Sequence, residues 1–323
     1  MCTELLSGVT CFVRYIYLVV ARVIGQCQFE IVNFCGSATS DREQHHHINY
    51  IIRDIISTSL SKEVENAFAK AKAESRPAFI PYITAGYPRA SDTVPVLLAL
   101  QANGSDIIEI GVPFSDPIAD GNTIQAANQQ ALDNGVSLTD TINYVIEARK
   151  QGLTVPIVLM GYFNPFLQYG EEKLINTCAD ARIHGFIVVD LPPAEALTFR
   201  RICDTRDLCL VPLVSPTTTE KRLAVMGKLA KGYVYCVSLN GVTGARTELP
   251  VHLASFLDRV RKHMTCFLAV GFGLSTREHV KAVGLLADGA IIGSAVIKAL
   301  AKGKDTAGSV ESVGKYVYSV THD

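Results

Sequence analysis

The sequence lacks the charge imbalance that binding to nucleic acid or to a membrane surface requires. Its 30 Lys and Arg residues oppose 31 Asp and Glu residues, which gives a formal net charge of −1 at pH 7. No long run of Lys or Arg occurs, so the sequence does not indicate the basic surface that attracts nucleic acids or anionic membranes. We therefore expect a small-molecule partner, with no nucleic acid and no membrane.

Long apolar runs are missing as well. The most apolar stretch near the start, CFVRYIYLVVARVIGQC, is interrupted by Arg14 and Arg22, whereas a membrane-spanning helix needs about 20 consecutive apolar residues. An organellar presequence within residues 1–60 stays open. We expect a cytoplasmic protein in which residues 1–60 form an N-terminal extension of unknown role and residues 61–323 form a single catalytic domain.

The nine cysteines show no CxxC spacing, and four of them fall within the first 35 residues. An odd count without paired spacing is typical of reduced, mostly buried thiols rather than of a disulfide framework or a zinc site. The contiguous histidines at positions 45–47 cannot all face one ion and have no acidic or cysteine partner at ligand spacing nearby. We predict no metal site.

From residue 61 onward, short β-branched and apolar runs alternate with segments of helical periodicity. The first helix is predicted to have Ser61 as its N-cap, with Val64, Phe68 and Ala71 on one side. Eight runs are predicted as strands: AFIPYITAG, SDIIEIGVP, PIVLMGYFN, GFIVVDLPP, LCLVPLVSP, GYVYCVSLNG, TCFLAVGFG and GAIIGSA. Eight strand–helix units match the size of an α/β parallel (β/α)8 TIM barrel of about 250 residues.

An open doubly wound sheet is the alternative fold, since it also alternates strands and helices. It usually has five or six strands and a Gly-rich turn after the first strand. The sequence after the first predicted strand, AGYPRASD, contains no GxGxxG pattern. The barrel is therefore favoured, and the site is expected at the carboxyl ends of its strands.

The second predicted strand carries an acidic residue within an aliphatic run. A period of two places Ile107, Glu109 and Gly111 on one face and Ile108 and Ile110 on the other. If the first face points into the barrel, the glycine leaves space beside Glu109, and aliphatic walls raise the pKa of its carboxyl group. Such a group suits general acid and base catalysis. The alternative is a structural Glu paired with a nearby Lys or Arg.

A second carboxyl group follows in the loop SDPIADG. Asp120 lies eleven residues after Glu109, and a flexible loop would bring it over the barrel mouth. Two acids in differently solvated surroundings can divide the work of protonating one atom and stabilising a positive charge. Asp116, which precedes Pro117, is equally consistent with a turn former.

The last three strands end in glycines that predict a phosphate site. The segments NGVTGAR, GFGLSTREH and IGSAVIKAL each place glycines where backbone N–H groups and helix N-termini can face an anion. The predicted donors are Gly244, Gly273, Gly293 and Ser294. Loops after the last strands are the usual phosphate position in such barrels.

Six motifs together resemble the tryptophan synthase alpha chain family: IEIGVPFSDPIADG, MGYFNP, VVDLPP, GVTGAR, AVGFG and GSAVIK. Their order and spacing carry the resemblance over about residues 61–300. VGFGLSTREH with ADGAIIGS, and MGYFNP with VVDLPP, are similar to the fungal form, in which alpha and beta activities are usually fused. The resemblance implies a TIM-barrel lyase of tryptophan biosynthesis that cleaves indole-3-glycerol phosphate into indole and glyceraldehyde 3-phosphate.

The resemblance also implies roles for individual residues. Glu109 would protonate indole C3 and manage the proton of the glycerol hydroxyl, and Asp120 would stabilise the charge at the ring nitrogen. The predicted phosphate site is the same as that indicated by the glycines. The expected residues around the indole and the closing loop are Tyr82, Tyr162, Tyr235 and Thr243.

The resemblance implies no cofactor for this chain, because its chemistry is proton transfer. No beta half follows residue 323, so pyridoxal phosphate would belong to a separate beta subunit, which is the expected partner. Two other functions stay open. One is a weakly active or non-catalytic partner that activates a beta subunit, and the other is a different phosphate-binding barrel isomerase or epimerase.

Three positions depart from the family pattern. Asn122 stands where the family usually has Pro after ADG, and Leu239 and Asn240 replace a frequent Ser-Arg before GVTG. None of them removes a chemical group assigned above. We expect them to affect loop closure and coupling to the beta subunit before they affect catalysis.

Overall fold

The computed structural model of the chain describes residues 59–192, 195–238, 252–271 and 273–322. Its strands are β1 (Ala78–Thr84), β2 (Ile108–Gly111), β3 (Ile157–Gly161), β4 (Gly185–Val188), β5 (Cys209–Leu210), β6 (Leu213–Val214), β7 (Tyr233–Val237), β8 (Phe267–Gly271) and β9 (Gly289–Ile292). The N-terminal extension predicted for residues 1–60 lies outside the described residues, apart from its last two.

Helices follow or precede these strands along the chain. They are α1 (Leu60–Ala73), α2 (Thr93–Ala102), α3 (Asn122–Asp133), α4 (Leu138–Lys150), α5 (Phe163–Tyr169), α6 (Glu171–Asp180), α7 (Ala196–Thr205), α8 (Glu220–Leu229), α9 (Leu253–Arg261), α10 (Arg277–Gly284), α11 (Ser294–Leu300) and α12 (Thr306–Thr321). A single 3-10 turn (Ala90–Asp92) precedes α2. Within the described residues, no helix combines the length and the hydropathy that crossing a membrane requires.

All strand pairs are parallel, and the strand order closes the sheet into a barrel. The order is β5-β4-β3-β2-β1-β9-β8-β7-β6, and β5 and β6 are consecutive parts of one segment. Between them, Val211 N–H donates to Phe186 C=O at 2.9 Å, and Pro212 C=O accepts from Tyr235 N–H at 3.0 Å. This segment therefore pairs with β4 on one side and β7 on the other, which confirms the predicted TIM barrel.

The fifth predicted strand is two short strands rather than one. Pro212 stands between them, and proline has no N–H to donate to a strand ladder. The neighbouring backbone bonds through Val211 and the Pro212 carbonyl keep both sides of the ladder connected. The interruption changes the length of the strand without opening the barrel.

Side chains of the strands alternate between the barrel interior and the layer beneath the helices. Ile107 belongs to the interior cluster, while Ile108 and Ile110 pack under the helices, as the period of two predicted. The interior cluster comprises Val64, Phe68, Ala71, Ala78, Ile80, Ile107, Val158, Ile187, Cys209, Val211, Tyr233, Tyr235, Ala269 and Ile291. Three of these come from α1, so this helix fills one end of the barrel.

The cap of α1 differs from the prediction. Ser59, not Ser61, is the N-cap, because its side chain accepts a hydrogen bond from Lys62 N–H at 3.2 Å. Ser61 lies in the first turn, and its hydroxyl donates to Asp207 Oδ1 at 2.9 Å. The hydroxyl groups of both serines therefore contact Asp207, and only that of Ser59 also caps the helix.

Both ends of the described chain lie at the end of the barrel that α1 fills. Ser61 N–H donates to the carbonyl of Asp207, which precedes β5. Near the other terminus, the Thr321 hydroxyl donates to the carbonyl of Asn103, which precedes β2. Residues that precede strands lie opposite the carboxyl ends, so the barrel mouth is on the far side. Helix α12 packs near this terminus with Val313 and Val317 fully buried.

Candidate active site

Glu109 lies inside the barrel, completely buried on β2. Its Oε1 accepts a hydrogen bond of 2.6 Å from the hydroxyl of Tyr233, which lies across the barrel on β7. Its Oε2 is buried without a hydrogen-bond partner among the described residues. Burial raises the pKa of the Glu109 carboxyl to about 8, although the bond from Tyr233 opposes the shift. The carboxyl can therefore hold a proton at neutral pH.

This environment differs from that of a structural glutamate. The partner of Glu109 in the described part of the barrel is a neutral phenol and not the Lys or Arg of the structural alternative. A cation would lower the pKa, whereas the observed surroundings raise it. One oxygen is held by Tyr233 and the other has no hydrogen-bond partner among the described residues, which suits a group that exchanges a proton with a ligand.

Two buried tyrosines stand beside Glu109, each over a glycine of the neighbouring strand. Tyr82 on β1 is opposite Glu109 in the strand register, and its Cζ lies 2.6 Å from the place that a Cβ on Gly111 would occupy. Tyr235 on β7 lies in the same way over Gly271, at 2.5 Å. The expectation that Gly111 leaves open space is therefore wrong, because the Tyr82 ring fills it.

The negative charges of Glu109 and Asp120 interact with the phenols of Tyr82 and Tyr235. The pKa of the Tyr82 phenol and that of the Tyr235 phenol are raised, first by burial and then by the negative charges of Glu109 and Asp120. Both phenols thus remain neutral hydrogen-bonding groups. The structure brings four of the predicted site residues together at one end of the barrel.

Asp120 lies directly before α3, at the end of the loop that follows β2. Its Oδ2 accepts hydrogen bonds of 3.3 Å from the Tyr162 hydroxyl and 3.3 Å from the Asn128 amide. Burial raises the pKa of the Asp120 carboxyl to about 6, and the two donors oppose the shift. Asp120 is thus mostly ionised at neutral pH while Glu109 is mostly protonated.

Tyr162 anchors the Asp120 loop in addition to facing the site. Its hydroxyl accepts a hydrogen bond of 2.9 Å from Ala119 N–H and donates to Asp120. Its ring stacks on Phe114 at a centroid distance of 5.0 Å. Because it bonds both the backbone and the side chain, Tyr162 fixes where the second carboxyl group stands.

The described part of the predicted phosphate site lies at the ends of β8 and β9, which are neighbouring strands. Gly273 has φ +84°, a left-handed conformation that favours glycine. Gly293 precedes α11, whose first residue is Ser294, and a Cβ on Gly293 would lie 3.5 Å from the Tyr82 ring. The first turn of α11 therefore adjoins the mouth. The predicted residues Thr243 and Gly244 lie outside the described residues.

Two of the departures from the family pattern, Leu239 and Asn240, also lie outside the described residues. The third, Asn122, is the first residue of α3. Proline is favoured at this first helical position because the N–H of that residue has no partner within the helix. It is not required there, since other residues also fit the position. Helix α3 forms with asparagine in its place, directly after Asp120 and Gly121.

Two site residues, Tyr233 and Asn128, were not predicted from the sequence. Tyr233 had a signal, because the period of two places it on the same inner face as Tyr235. No pattern in a single sequence would indicate Asn128. It lies on α3, and its partner Asp120 is eight residues away.

Comparison with known proteins identifies the family of this arrangement. A family model described as tryptophan synthase alpha chain matches residues 68–320. The chain belongs to this family. The resemblance seen in the six motifs is thereby confirmed, and the match extends through the last helix.

Relatives from fungi and bacteria are similar over about three quarters of this chain. Tryptophan synthase of Saccharomyces cerevisiae is 51% identical over 239 residues, which cover 74% of this chain and 34% of that protein. The tryptophan synthase alpha chain of Roseiflexus castenholzii is 47% identical over 237 residues, covering 73% of this chain and 91% of the relative. This chain therefore spans a minor part of the yeast protein and nearly all of the bacterial one.

Solved structures share the barrel. Tryptophan synthase subunit alpha from Legionella pneumophila has a TM-score of 0.74 at 34% identity, covering 80% of this chain and 97% of that one. A chain of the tryptophan synthase complex from Pyrococcus furiosus has a TM-score of 0.69 at 36% identity. The match covers 76% of this chain and 98% of that one. The tryptophan synthase alpha chain family thus accounts for the sequence of residues 68–320 and for the barrel fold of the described residues.

Proposed function

We propose that this chain cleaves indole-3-glycerol phosphate into indole and glyceraldehyde 3-phosphate, as a lyase of tryptophan biosynthesis. The observation that carries the proposal is the pair of carboxyl groups in one barrel mouth with pKa values of about 8 for Glu109 and about 6 for Asp120. Near neutral pH one acid holds a proton and the other is charged. A reaction that protonates a carbon while a positive charge develops elsewhere needs both states at once.

Glu109 acts first as an acid and then as a base. The protonated carboxyl gives its proton to C3 of the indole ring, which converts the ring to its iminium form. The resulting carboxylate takes the proton of the hydroxyl group on the adjacent side-chain carbon. The bond between that carbon and C3 then breaks, its electron pair restores the ring, and the hydroxyl carbon becomes the aldehyde of glyceraldehyde 3-phosphate.

Asp120 stabilises the intermediate state at the ring nitrogen. Its carboxylate accepts a hydrogen bond from the indole N–H as positive charge develops there, and a fixed negative charge in a partly buried site favours that state. Tyr82 and Tyr235 provide flat, neutral surfaces beside both acids, which suit an aromatic ring. Tyr162 completes this wall while holding Asp120.

The phosphate group is bound at the ends of the last strands. Gly273, Gly293 and Ser294 present backbone N–H groups there, and Gly244 is the fourth proposed donor. The first N–H groups of a helix lack partners within it and carry partial positive charge. In this proposal Thr243 belongs to a loop that closes over Asp120.

The proposed chemistry needs no cofactor in this chain, because Glu109 supplies and accepts the protons and Asp120 stabilises the positive charge. A tryptophan synthase beta subunit is the proposed partner, with pyridoxal phosphate belonging to that subunit. Ile118, which is 85% exposed in the loop between Glu109 and Asp120, offers an apolar contact beside the mouth. We place the protein in the cytoplasm, in keeping with five free cysteines among the described residues.

The test is the release of indole from indole-3-glycerol phosphate by the purified chain. We expect Glu109→Gln to abolish turnover while substrate binding persists, because the amide keeps the shape and loses the proton. Asp120→Asn should be severely impaired. Asp116→Asn is the matched control, since Asp116 is exposed in the same loop and bonds to Ser115.

Wild-type turnover by the Glu109→Gln variant would contradict the proposed mechanism. A purified chain that binds indole-3-glycerol phosphate without releasing indole, but accelerates a beta subunit, would support the non-catalytic partner instead. Measuring indole release with and without an added beta subunit separates these functions.

A further inference from the structure

We propose that Asn128 is a positioning residue that fixes which oxygen of Asp120 faces the substrate. This inference rests on the proposed role of Asp120 at the indole nitrogen and adds a residue to it. Asn128 does not contact the reacting atoms in this arrangement. It acts through the carboxyl group that does.

The two donors to Asp120 converge on a single oxygen. Asn128 Nδ2 and Tyr162 Oη each lie 3.3 Å from Oδ2, and they come from different elements, since Asn128 is on α3 and Tyr162 precedes α5. Two donors at Oδ2 leave Oδ1 as the oxygen offered to the barrel mouth. A carboxylate that rotated freely would present either oxygen and lose part of its alignment with the ring nitrogen.

Helix α3 holds the backbone of Asp120 as well as its side chain. Gln125, one turn before Asn128, donates through its amide to the Asp120 carbonyl at 2.8 Å. The helix is itself fixed, because Ala127 and Ala131 are fully buried against the barrel. Position and rotation of the carboxylate are therefore controlled by two neighbouring amides on one rigid element.

The burial of Asn128 is difficult to explain by stability alone. The side chain is 2% exposed, and its Oδ1 is buried without a hydrogen-bond partner among the described residues. A buried polar atom without a partner costs free energy that an apolar side chain of similar shape would avoid. The bond to Asp120 is what asparagine provides here and leucine could not.

Within the described part of the chain, few titratable groups surround Asp120. The phenols of Tyr162, Tyr82 and Tyr235 interact with its charge, and Glu109 shares the last two as neighbours. All three phenols have raised pKa values and stay neutral through the working range of an enzyme. Asn128 is thus one of two neutral donors that stabilise the charged form of Asp120, and its loss should move the titration of Asp120 to higher pH.

The experiment compares two variants of similar shape, Asn128→Leu and Asn128→Asp, in the full chain. We expect Asn128→Leu to lower kcat about tenfold with KM nearly unchanged, because one hydrogen bond to a charged group is lost. Its pH–rate profile should move to higher pH on the acid side, and Asn128→Asp should move it further, since a like charge disfavours ionisation. Gln129→Leu, on the exposed side of the same helix, is the control.

Thermal unfolding separates positioning from a purely structural role. The inference predicts that Asn128→Leu is at least as stable as wild type while being less active. A variant that loses stability and activity together, with an unchanged acid limb, would overturn it. So would an Asn128→Leu enzyme with wild-type kcat and an unchanged profile.

A second measurement does not depend on turnover. Carbon-detected NMR titration of the Asp120 carboxyl in wild type and in Asn128→Leu reports its pKa directly. If wild type released no indole, the proposed function would fail, and the titration would still test the contact. An identical Asp120 titration in both proteins would overturn the inference even where wild type is active.

Discussion

The two acids of this barrel differ because their surroundings differ. Among the described residues, Glu109 has one neutral donor and a buried oxygen without a hydrogen-bond partner, whereas Asp120 has two donors and is less deeply buried. The same kind of group is therefore kept protonated in one place and charged in the other. This separation of pKa values lets one site act as acid and as anion simultaneously.

The pH dependence of kcat/KM should be bell-shaped as a result. Asp120 must be charged, so the rate should rise with pH through about 6, and Glu109 must be protonated, so the rate should fall through about 8. Initial rates of indole release in overlapping buffers between these limits and beyond provide the measurement. A profile that is flat from well below pH 6 to well above pH 8 would contradict the assignment.

At the residue scale, sequence alone predicted the acids and not their partners. Alternation along β2 is a local pattern, so it placed Glu109 on the inner face correctly. Tyr233 is 124 positions away from Glu109 along the chain, and only the closure of the barrel brings them together. Asn128 was not predicted for another reason: an uncharged amide on a polar helix has no distinctive sequence pattern.

At the element scale, glycines at strand ends make room for aromatic side chains of the neighbouring strand. Gly111 lies under Tyr82 and Gly271 lies under Tyr235, so each tyrosine occupies the volume that a Cβ would take. Close packing of this kind sets the position of both rings relative to the acids. The glycines were predicted as features of the mouth, but their occupants could not be predicted without the register between strands.

Replacing Gly111 by alanine should displace the Tyr82 ring. The added Cβ would lie 2.6 Å from the ring carbon that bears the hydroxyl, and overpacking a dense core usually costs about 1–3 kcal/mol. Urea unfolding of Gly111→Ala gives this loss directly. Gly293→Ala is the comparison for stability, because its Cβ would meet the same ring at 3.5 Å, an ordinary contact. Equal losses in the two variants would argue against the crowding at Gly111.

The strands of this barrel have a clearer sequence signal than helix α3 has. Strands in this barrel are apolar runs bounded by Gly and Pro, which makes them visible in the sequence. Helix α3 gives no such signal, because its segment NTIQAANQQALD is largely polar and buries only small side chains and Asn128. The division of the fifth strand at Pro212 was also missed, although proline is a known signal for an interrupted ladder.

At the scale of the whole molecule, α1 connects the end of the barrel that it fills to Glu109. The Phe68 ring of α1 stacks on Phe267 at 4.8 Å and meets Tyr233 at 5.5 Å, and Tyr233 holds Glu109. A helix remote from the mouth thus supports the geometry of the proposed site. The closing of the sheet makes this link possible, because it joins β7 and β2 across one interior.

Removing the Phe68 ring should affect both stability and turnover. Phe68→Ala is expected to cost about 3–5 kcal/mol, as is usual for a buried phenylalanine, and to lower kcat by loosening Tyr233. Phe199→Ala is the matched control, since Phe199 is equally buried but packs on Phe163 and Phe186 beneath the helices. Both measurements are made at a temperature where the variants remain folded. A similar fall in kcat for both would show that stability alone is responsible.

The shared location of the chain's two described ends has a practical consequence for assembly and engineering. Ser59 and His322 border the face that α1 fills, so a tag, a surface linker or a fused enzyme attached beyond either position starts away from the mouth. Immobilising the protein through one end should leave substrate access and the docking of a second enzyme undisturbed. The same arrangement makes the barrel suitable as one module of a longer polypeptide, because covalent connection and catalysis use opposite faces.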